Sequence, residues 1–212
     1  GLQRTLGFGS YNTAWQWLHK LRRAMVRPDR ELLNGLVEVD ETYLGAAKPG
    51  KRGRGAEGKV IIAVAVEDKG EKGIGRIRLQ IIGDASGDSL KEFLTNTTEV
   101  GTKIRTDGWA GYDDIQVTGY THIIESSGDT KLAHLVISLL KRWILGTYQG
   151  SVKASHLPYY LDEFTFRFNR RRSRSRGKLF YRLVQQAMLA DPAPLATLKG
   201  VVHEFIDEND NI

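Results

Sequence analysis

Seven apolar residues in a row, Val60 to Val66 (VIIAVAV), form the longest unbroken apolar stretch of the sequence. A strand that is apolar on both faces needs cover on both faces, so this run predicts a buried strand inside a layered α/β fold. It is far too short to span a bilayer, which takes roughly 20 residues. Upstream, LVEVDETYL (36–44) has a period of two. It puts Val37, Val39, Glu41 and Tyr43 on one face and Leu36, Glu38, Asp40, Thr42 and Leu44 on the other. Downstream, a Gly-rich turn (68–75) leads to a third strand, Arg76 to Ile82. Three strands joined by loops predict an antiparallel meander.

The pattern then alternates. Asp88 to Thr95 reads as a helix with Leu90, Phe93 and Leu94 inward, and Thr102 to Thr106 as a short strand ending at Asp107. Trp109 to Ile115 reads as a short helix, His122 to Glu125 as a strand, and Leu132 to Ile144 as a helix. Helices are also expected over Asn12 to Val26, closed by a stop at Pro28 and Asp29, over Pro158 to Arg171, and over Leu179 to Ala190. The order of elements predicts a mixed α/β sheet with helices on both faces.

Lys and Arg number 31 against 25 Asp and Glu, for a net charge of +6. Without the four acids of the tail Glu204 to Ile212, the first 203 residues carry +10. A basic body of this kind suits either a polyanionic partner or simple solubility. The sequence has no cysteine, which excludes a disulfide scaffold, a thiolate zinc site and a cysteine nucleophile within it. No signal peptide opens it, so a cytoplasmic location is expected, at the nucleoid when DNA is bound.

Gly53 to Lys59 has the spacing of a phosphate-binding P-loop, but Val60 stands where Ser or Thr should hold magnesium. A strand follows where a helix is needed, so no nucleotide cofactor is expected. The chemistry-bearing residues lie elsewhere. Asp is a poor strand former, so Asp40 in mid-strand breaks a local rule, and such positions tend to be functional. Asp107 sits at the carboxyl end of a short strand, where open α/β sheets place their sites. His134 opens the following helix and can point back over the sheet. A lone Asp near a turn is more often a cap or turn former, and a lone helix His more often a surface or core residue, so spacing alone leaves a shared metal site open.

Basic residues gather at three places. The Gly-rich loop 48–59 carries five, among them Lys51, Arg52, Arg54 and Lys59; it suits closure over DNA or a free hairpin tip. Lys141 and Arg142 follow His134 by two turns. RFNRRRSRSR (167–176) holds six arginines, and on an extended helix Arg167, Arg170, Arg171 and Arg174 would share one face. Leu157, Leu161, Phe164 and Phe168 form the opposite stripe, expected to dock on the sheet. Six like charges in ten residues repel without a partner, which favours phosphate contact.

Four segments, VEVDETYLG, TDGWAGY, HLVISLLKRWILGTYQG and HLPYYLDEFTFRFNRR, resemble in sequence and order the transposase domain of a group of bacterial insertion sequences. These are DDE-type transposases with a ribonuclease H-like fold, and the resemblance covers roughly 12–190. It implies Asp40 and Asp107 as the first two catalytic residues and His134 at the third position, where many relatives carry Glu. It implies two divalent ions, Mg2+ or Mn2+, held by these three residues, with DNA ends and target DNA as partners and a homo-oligomer on DNA. A His there removes one charge and adds a softer donor, which should shift preference toward manganese. Relatives usually open with a zinc ribbon and a helix-turn-helix; the ribbon's cysteines are absent. The expected organisation is therefore a helical remnant of the DNA-binding region (1–35), a catalytic core (36–150), basic helices packing on it (151–190) and an acidic tail (191–212). The alternative is an inactive DNA-binding protein derived from a transposase. A second rival is a nuclease of the same fold without end specificity.

Overall fold

The computed structural model describes the chain except for residues 28, 29, 46–58, 114, 116–118, 126–129, 150, 151, 196, 197 and 199–212. The chain divides into two compact units, one of Glu31–Ala154 and one of Gly1–Arg30 with Ser155–His203.

The first unit is a five-stranded sheet with helices. Its strands are β1 (Leu36–Leu44), β2 (Val60–Asp68), β3 (Ile74–Ile82), β4 (Lys103–Thr106) and β5 (Thr121–Ile124), in spatial order β3-β2-β1-β4-β5. The first three are antiparallel, and β4 and β5 run parallel to β1. This is the mixed, ribonuclease H-like arrangement, with β1 at the centre. Period-two patterning in β1 feeds both faces. Val37 and Val39 join Ala63, Ala65, Ile104 and the helix residues Leu90, Phe93 and Leu94 in one core. Those helix residues belong to α3 (Gly87–Thr97), which Ser86 caps by accepting from the Ser89 N–H. The opposite face of β1 carries Glu38 and Asp40, both buried, and meets α4 (Lys131–Tyr148). Ile62, Val64 and Val66 are fully buried, as a strand covered on both faces requires.

Within the sequence-predicted helix over Trp109 to Ile115, the described residues form no α-helix; Ala110–Tyr112 is a 3₁₀ turn. The Trp109 ring, whose Nε1–H donates to the Ala85 carbonyl, and the fully buried Tyr112 fasten this short segment to the sheet unit, so packing sets its path rather than helical propensity.

The second unit is helical: α1 (Leu2–Leu6), α2 (Tyr11–Ala24), α5 (Leu157–Asn169) and α6 (Arg176–Leu189). Here the fully buried His19 of α2 lies among aromatic rings, 4.2 Å from Trp15, 5.0 Å from Tyr159 and 5.2 Å from His156 between centroids. Burial, then the Arg22 and His156 charges, push its imidazole down to about 3. Its folded pKa lies below the unfolded value, so its contribution is complete above pH ~6.5 and is lost as pH falls from there toward about 3. Asp162, pushed up to about 7 by burial against the opposing pull of Arg30, acts with the opposite sign. The measurable quantity is therefore the difference between proteins. Relative to His19→Phe, the wild type should lose ~1.4 kcal/mol of stability per pH unit below ~6.5. Urea unfolding of both at neutral and mildly acidic pH checks it; parallel pH profiles would refute a buried neutral His19.

Candidate active site

The central strand carries the first carboxylate. β1 and β4 pair in parallel up to Glu38 opposite Arg105, and Asp107 lies close enough to Asp40 for its charge to act on that carboxyl. Asp107 is the first residue beyond β4. Its Oδ1 accepts from the Trp109 N–H at 3.0 Å, and Gly108 turns the chain in the left-handed region at φ 81°. A Cβ on Gly108 would lie 2.8 Å from the Ile124 side chain, so glycine is needed there for space as well as for conformation.

His134 reaches the same place from the first turn of α4, its Nε2 3.0 Å from Asp40 Oδ2. Thr130 donates from Oγ1 to the same oxygen at 3.2 Å, and the Glu41 N–H donates to Asp40 Oδ1 at 2.8 Å. Asp40 is nearly buried while His134 is about half exposed, so the pair opens to solvent on the histidine side. Desolvation pushes the Asp40 carboxyl up to about 6, with the Glu41 and Asp107 charges adding to the rise and His134 and the Glu41 N–H opposing it. A buried carboxylate of this kind is relieved by a cation.

Among the described residues no group of three or more His, Cys, Asp or Glu is set to hold a metal ion. The Asp40–His134 pair does fit one. Its imidazole nitrogen and carboxylate oxygen, 3.0 Å apart, would be the two donors to such an ion once the nitrogen is free of its proton. A carboxylate oxygen suits magnesium or manganese, and an imidazole nitrogen beside it would favour manganese of the two.

Sequence reasoning gave no role to Glu38. It is buried on the same face as Asp40, and its Oε2 accepts from the N–H groups of Leu132 (2.7 Å) and Ala133 (3.0 Å), the second and third residues of α4. Its Oε1 accepts from Arg105 at 3.1 Å. Two carboxylates at i and i+2 on one face of a buried strand were the available signal. On the other face Glu41 accepts from the Tyr112 hydroxyl at 3.1 Å. Burial and this carboxylate raise the Tyr112 phenol well above its ordinary range.

The basic candidates scatter. Lys51, Arg52 and Arg54 lie outside the described residues, while Lys59 directly precedes β2. Lys141 and Arg142 are exposed on α4, further along the helix that carries His134. In the helical unit, Arg167 pairs with Glu163 one turn back at 3.1 Å. The shared helical face expected for Arg167, Arg170, Arg171 and Arg174 is corrected, because α5 ends at Asn169. Arg170 and Arg171 fold back over the rings of Phe166 and Phe168, at 3.9 and 4.1 Å from the centroids. Each also donates to the backbone carbonyl of the phenylalanine it covers, and these contacts close the helix rather than extend it. Arg174 is exposed in the α5–α6 connection.

This mixed five-stranded sheet, with Asp40 inside the central strand β1 and Asp107 just beyond the adjacent β4, is ribonuclease H-like. Residues 32–169 match the family model of the ISXO2-like transposase domain. The chain belongs to that family of DDE-type insertion-sequence transposases. No curated protein matches the sequence. Among solved structures, it is similar to the catalytic core domain of BIV integrase, at 15% identity over 74% of this chain and 98% of that one, with a TM-score of 0.42. It is also similar to a chain of the simian T-cell lymphotropic virus intasome in complex with PP2A regulatory subunit B56 gamma. There the identity is 13% over 82% of this chain and 66% of that chain, with a TM-score of 0.42. No helix among the described residues is long and apolar enough to cross a membrane.

Proposed function

We propose that the chain is a metal-dependent DNA transposase that cuts the ends of an insertion sequence and joins them to target DNA, with Asp40, Asp107 and His134 as its catalytic residues. The observation that carries this reading is the contact of His134 Nε2 with Asp40 Oδ2, within reach of the Asp107 charge. Asp40 and His134 would hold one divalent ion, and Asp107 would share in holding the ions. Bound there, two such ions activate the attacking oxygen and neutralise the leaving one. In the first step a water oxygen forms a bond to the phosphorus at the element's end. The bond to the 3′ oxygen breaks, leaving a 3′ hydroxyl. In the second, that hydroxyl oxygen attacks a target phosphate, and the target's own 3′ oxygen leaves. No covalent bond to the protein is formed.

Thr130 and the Glu41 N–H hold the Asp40 carboxylate in one orientation, and the exposed side of His134 leaves the approach open to DNA. The reading is tested by supplying cognate end DNA with Mg2+ or Mn2+. Metal-dependent nicking and strand transfer are expected, and random duplex should be a poor substrate. Absence of cleavage in both metals, with binding intact, would favour the inactive DNA-binding protein.

Arg167 of α5, the arginines that follow that helix and the Lys141–Arg142 pair supply phosphate contacts in this reading, and the protein works as a homo-oligomer on DNA. Affinity should fall steeply with salt, each neutralised phosphate contributing about −0.9 to the log–log slope. Replacing Arg167, Arg170, Arg171 and Arg174 together by Ala should flatten that slope by roughly 3 to 4 units. An unchanged slope would move the DNA path away from this segment.

A further inference from the structure

We infer that Glu38 is the positioning residue of this site: a carboxylate from the sheet that caps α4 and thereby holds His134 on Asp40. The inference rests on the proposed role of His134 and extends it to a residue that touches no substrate. Three other helices begin with a serine whose own hydroxyl accepts a first-turn N–H, namely Ser10, Ser86 and Ser175. α4 begins at Thr130, whose side chain caps nothing in its helix and donates instead to Asp40 Oδ2. The second and third N–H groups of α4, which a cap residue would ordinarily satisfy, both point at Glu38 Oε2. His134 is the next residue, and its N–H makes the first internal bond of the helix, to the Thr130 carbonyl at 2.9 Å.

The capping function has therefore been exchanged. Freed from its own helix, Thr130 orients the Asp40 carboxylate, while Glu38, two residues from Asp40 on the same strand face, orients the helix. A charged acceptor at a helix N-terminus also meets the positive end of the helix dipole. On its other oxygen Glu38 is held by Arg105, which reaches Asp68 at 3.3 Å as well. Glu38 thus links β1, β4 and α4 at one point, with no freedom to follow the helix if it shifts. The distance between His134 and Asp40 is set by two backbone elements clamped to one buried carboxylate.

The test compares wild type with Glu38→Ala and Glu38→Gln in the whole chain, without DNA or metal. It reads the His134 ring by 15N NMR above the ordinary imidazole range. Wild type should show one fixed tautomer, with the proton on Nε2 facing Asp40, and ring-to-Thr130 cross-relaxation. Glu38→Ala should average the tautomers and abolish the cross-relaxation. Glu38→Gln, which keeps an oxygen for the two N–H groups, should restore most of both. Mn2+ affinity, read by water-proton relaxation, should fall ~10- to 100-fold in Glu38→Ala and recover in Glu38→Gln, as expected of a residue that orients a ligand. A merely structural Glu38 would lower the unfolding midpoint of both variants while the ring signals of the folded protein stayed put. Folded Glu38→Ala with wild-type ring signals overturns the inference. Should Glu38→Ala not fold, Glu38→Asp takes its place. It keeps the charge and withdraws the oxygens by ~1.5 Å, so unchanged ring signals there are equally fatal. Wild type that cleaves no DNA, with ring signals that do respond to Glu38, would sink the transposase reading and leave the placement of α4 standing. Cleaving wild type with unresponsive ring signals sinks this inference alone.

Discussion

Asp40→Asn is expected to abolish end cleavage and strand transfer, by at least ~10³-fold, while DNA affinity and its salt dependence remain as in wild type. A cation at a phosphodiester supplies several kcal/mol of transition-state stabilisation, and a factor of ten corresponds to ~1.4 kcal/mol. Losing the charged ligand at the centre of the sheet removes most of that. The same substitution removes no phosphate contact, because the Asp40 side chain is nearly buried and turned toward His134 and Thr130. Asp107→Asn should behave alike in cleavage. The two differ in the cation-free protein. Burial disfavours the charge of Asp40 and raises its carboxyl to about 6, so Asn in its place should leave folding stability unchanged or raise it by up to ~3 kcal/mol. Asp107 is exposed and its Oδ1 accepts from the Trp109 N–H, which Asn can still satisfy, so Asp107→Asn should be close to neutral. Thermal melts without metal, nicking assays with Mg2+ and Mn2+, and binding titrations at several salt concentrations together check these points. A cleaving Asp40→Asn protein would remove the sheet centre from the chemistry.

The sheet was legible because its strands carry strong local signals. β1 matches the period-two segment residue for residue, and the short uninterrupted apolar run, rich in Val and Ile, suits a strand covered on both faces. Asp40 stood out for the same reason: a carboxylate inside a central strand contradicts both propensity and burial, and only a compensating partner keeps it there. What stayed hidden were features set by tertiary contact. α5 stops at Asn169 although RFNRRRSRSR would continue a helical pattern, because the guanidiniums of Arg170 and Arg171 gain more by covering Phe166 and Phe168 than by lengthening a helix of like charges. The aromatic surroundings of His19 combine residues some 140 positions apart, which no local period can reveal. Glu38 was visible as a residue on the face of Asp40 but not as a cap, since its partners lie 94 and 95 positions away in a helix whose own first residue looks like an ordinary threonine cap.

His134 is where enzyme and inert binder part. His134→Ala should lower cleavage by roughly 10²-fold, the loss of one ligand of several, with a larger loss in Mn2+ than in Mg2+. An imidazole nitrogen binds manganese better than magnesium, so its removal withdraws the advantage that manganese holds in the wild type. His134→Glu should act in the opposite sense. It offers a hard oxygen from the same turn of α4 and restores the charge that histidine lacks, so activity in Mg2+ should rise relative to Mn2+. In the cation-free protein the same substitution should cost stability. Where Nε2 of His134 now lies 3.0 Å from Asp40 Oδ2, a second carboxylate would face the first across a site already desolvated and already strained by Glu41 and Asp107. Added Mn2+ or Mg2+ should therefore raise the unfolding midpoint of His134→Glu more than that of wild type, because the ion binds the folded state and cancels a repulsion that wild type does not have. That linkage needs no DNA and no turnover, so it reports on the site even if cleavage is never seen. Equal cleavage by wild type and His134→Ala in both metals, with no metal-induced stabilisation of His134→Glu, would take His134 out of the site and leave Asp40 and Asp107 in need of another partner.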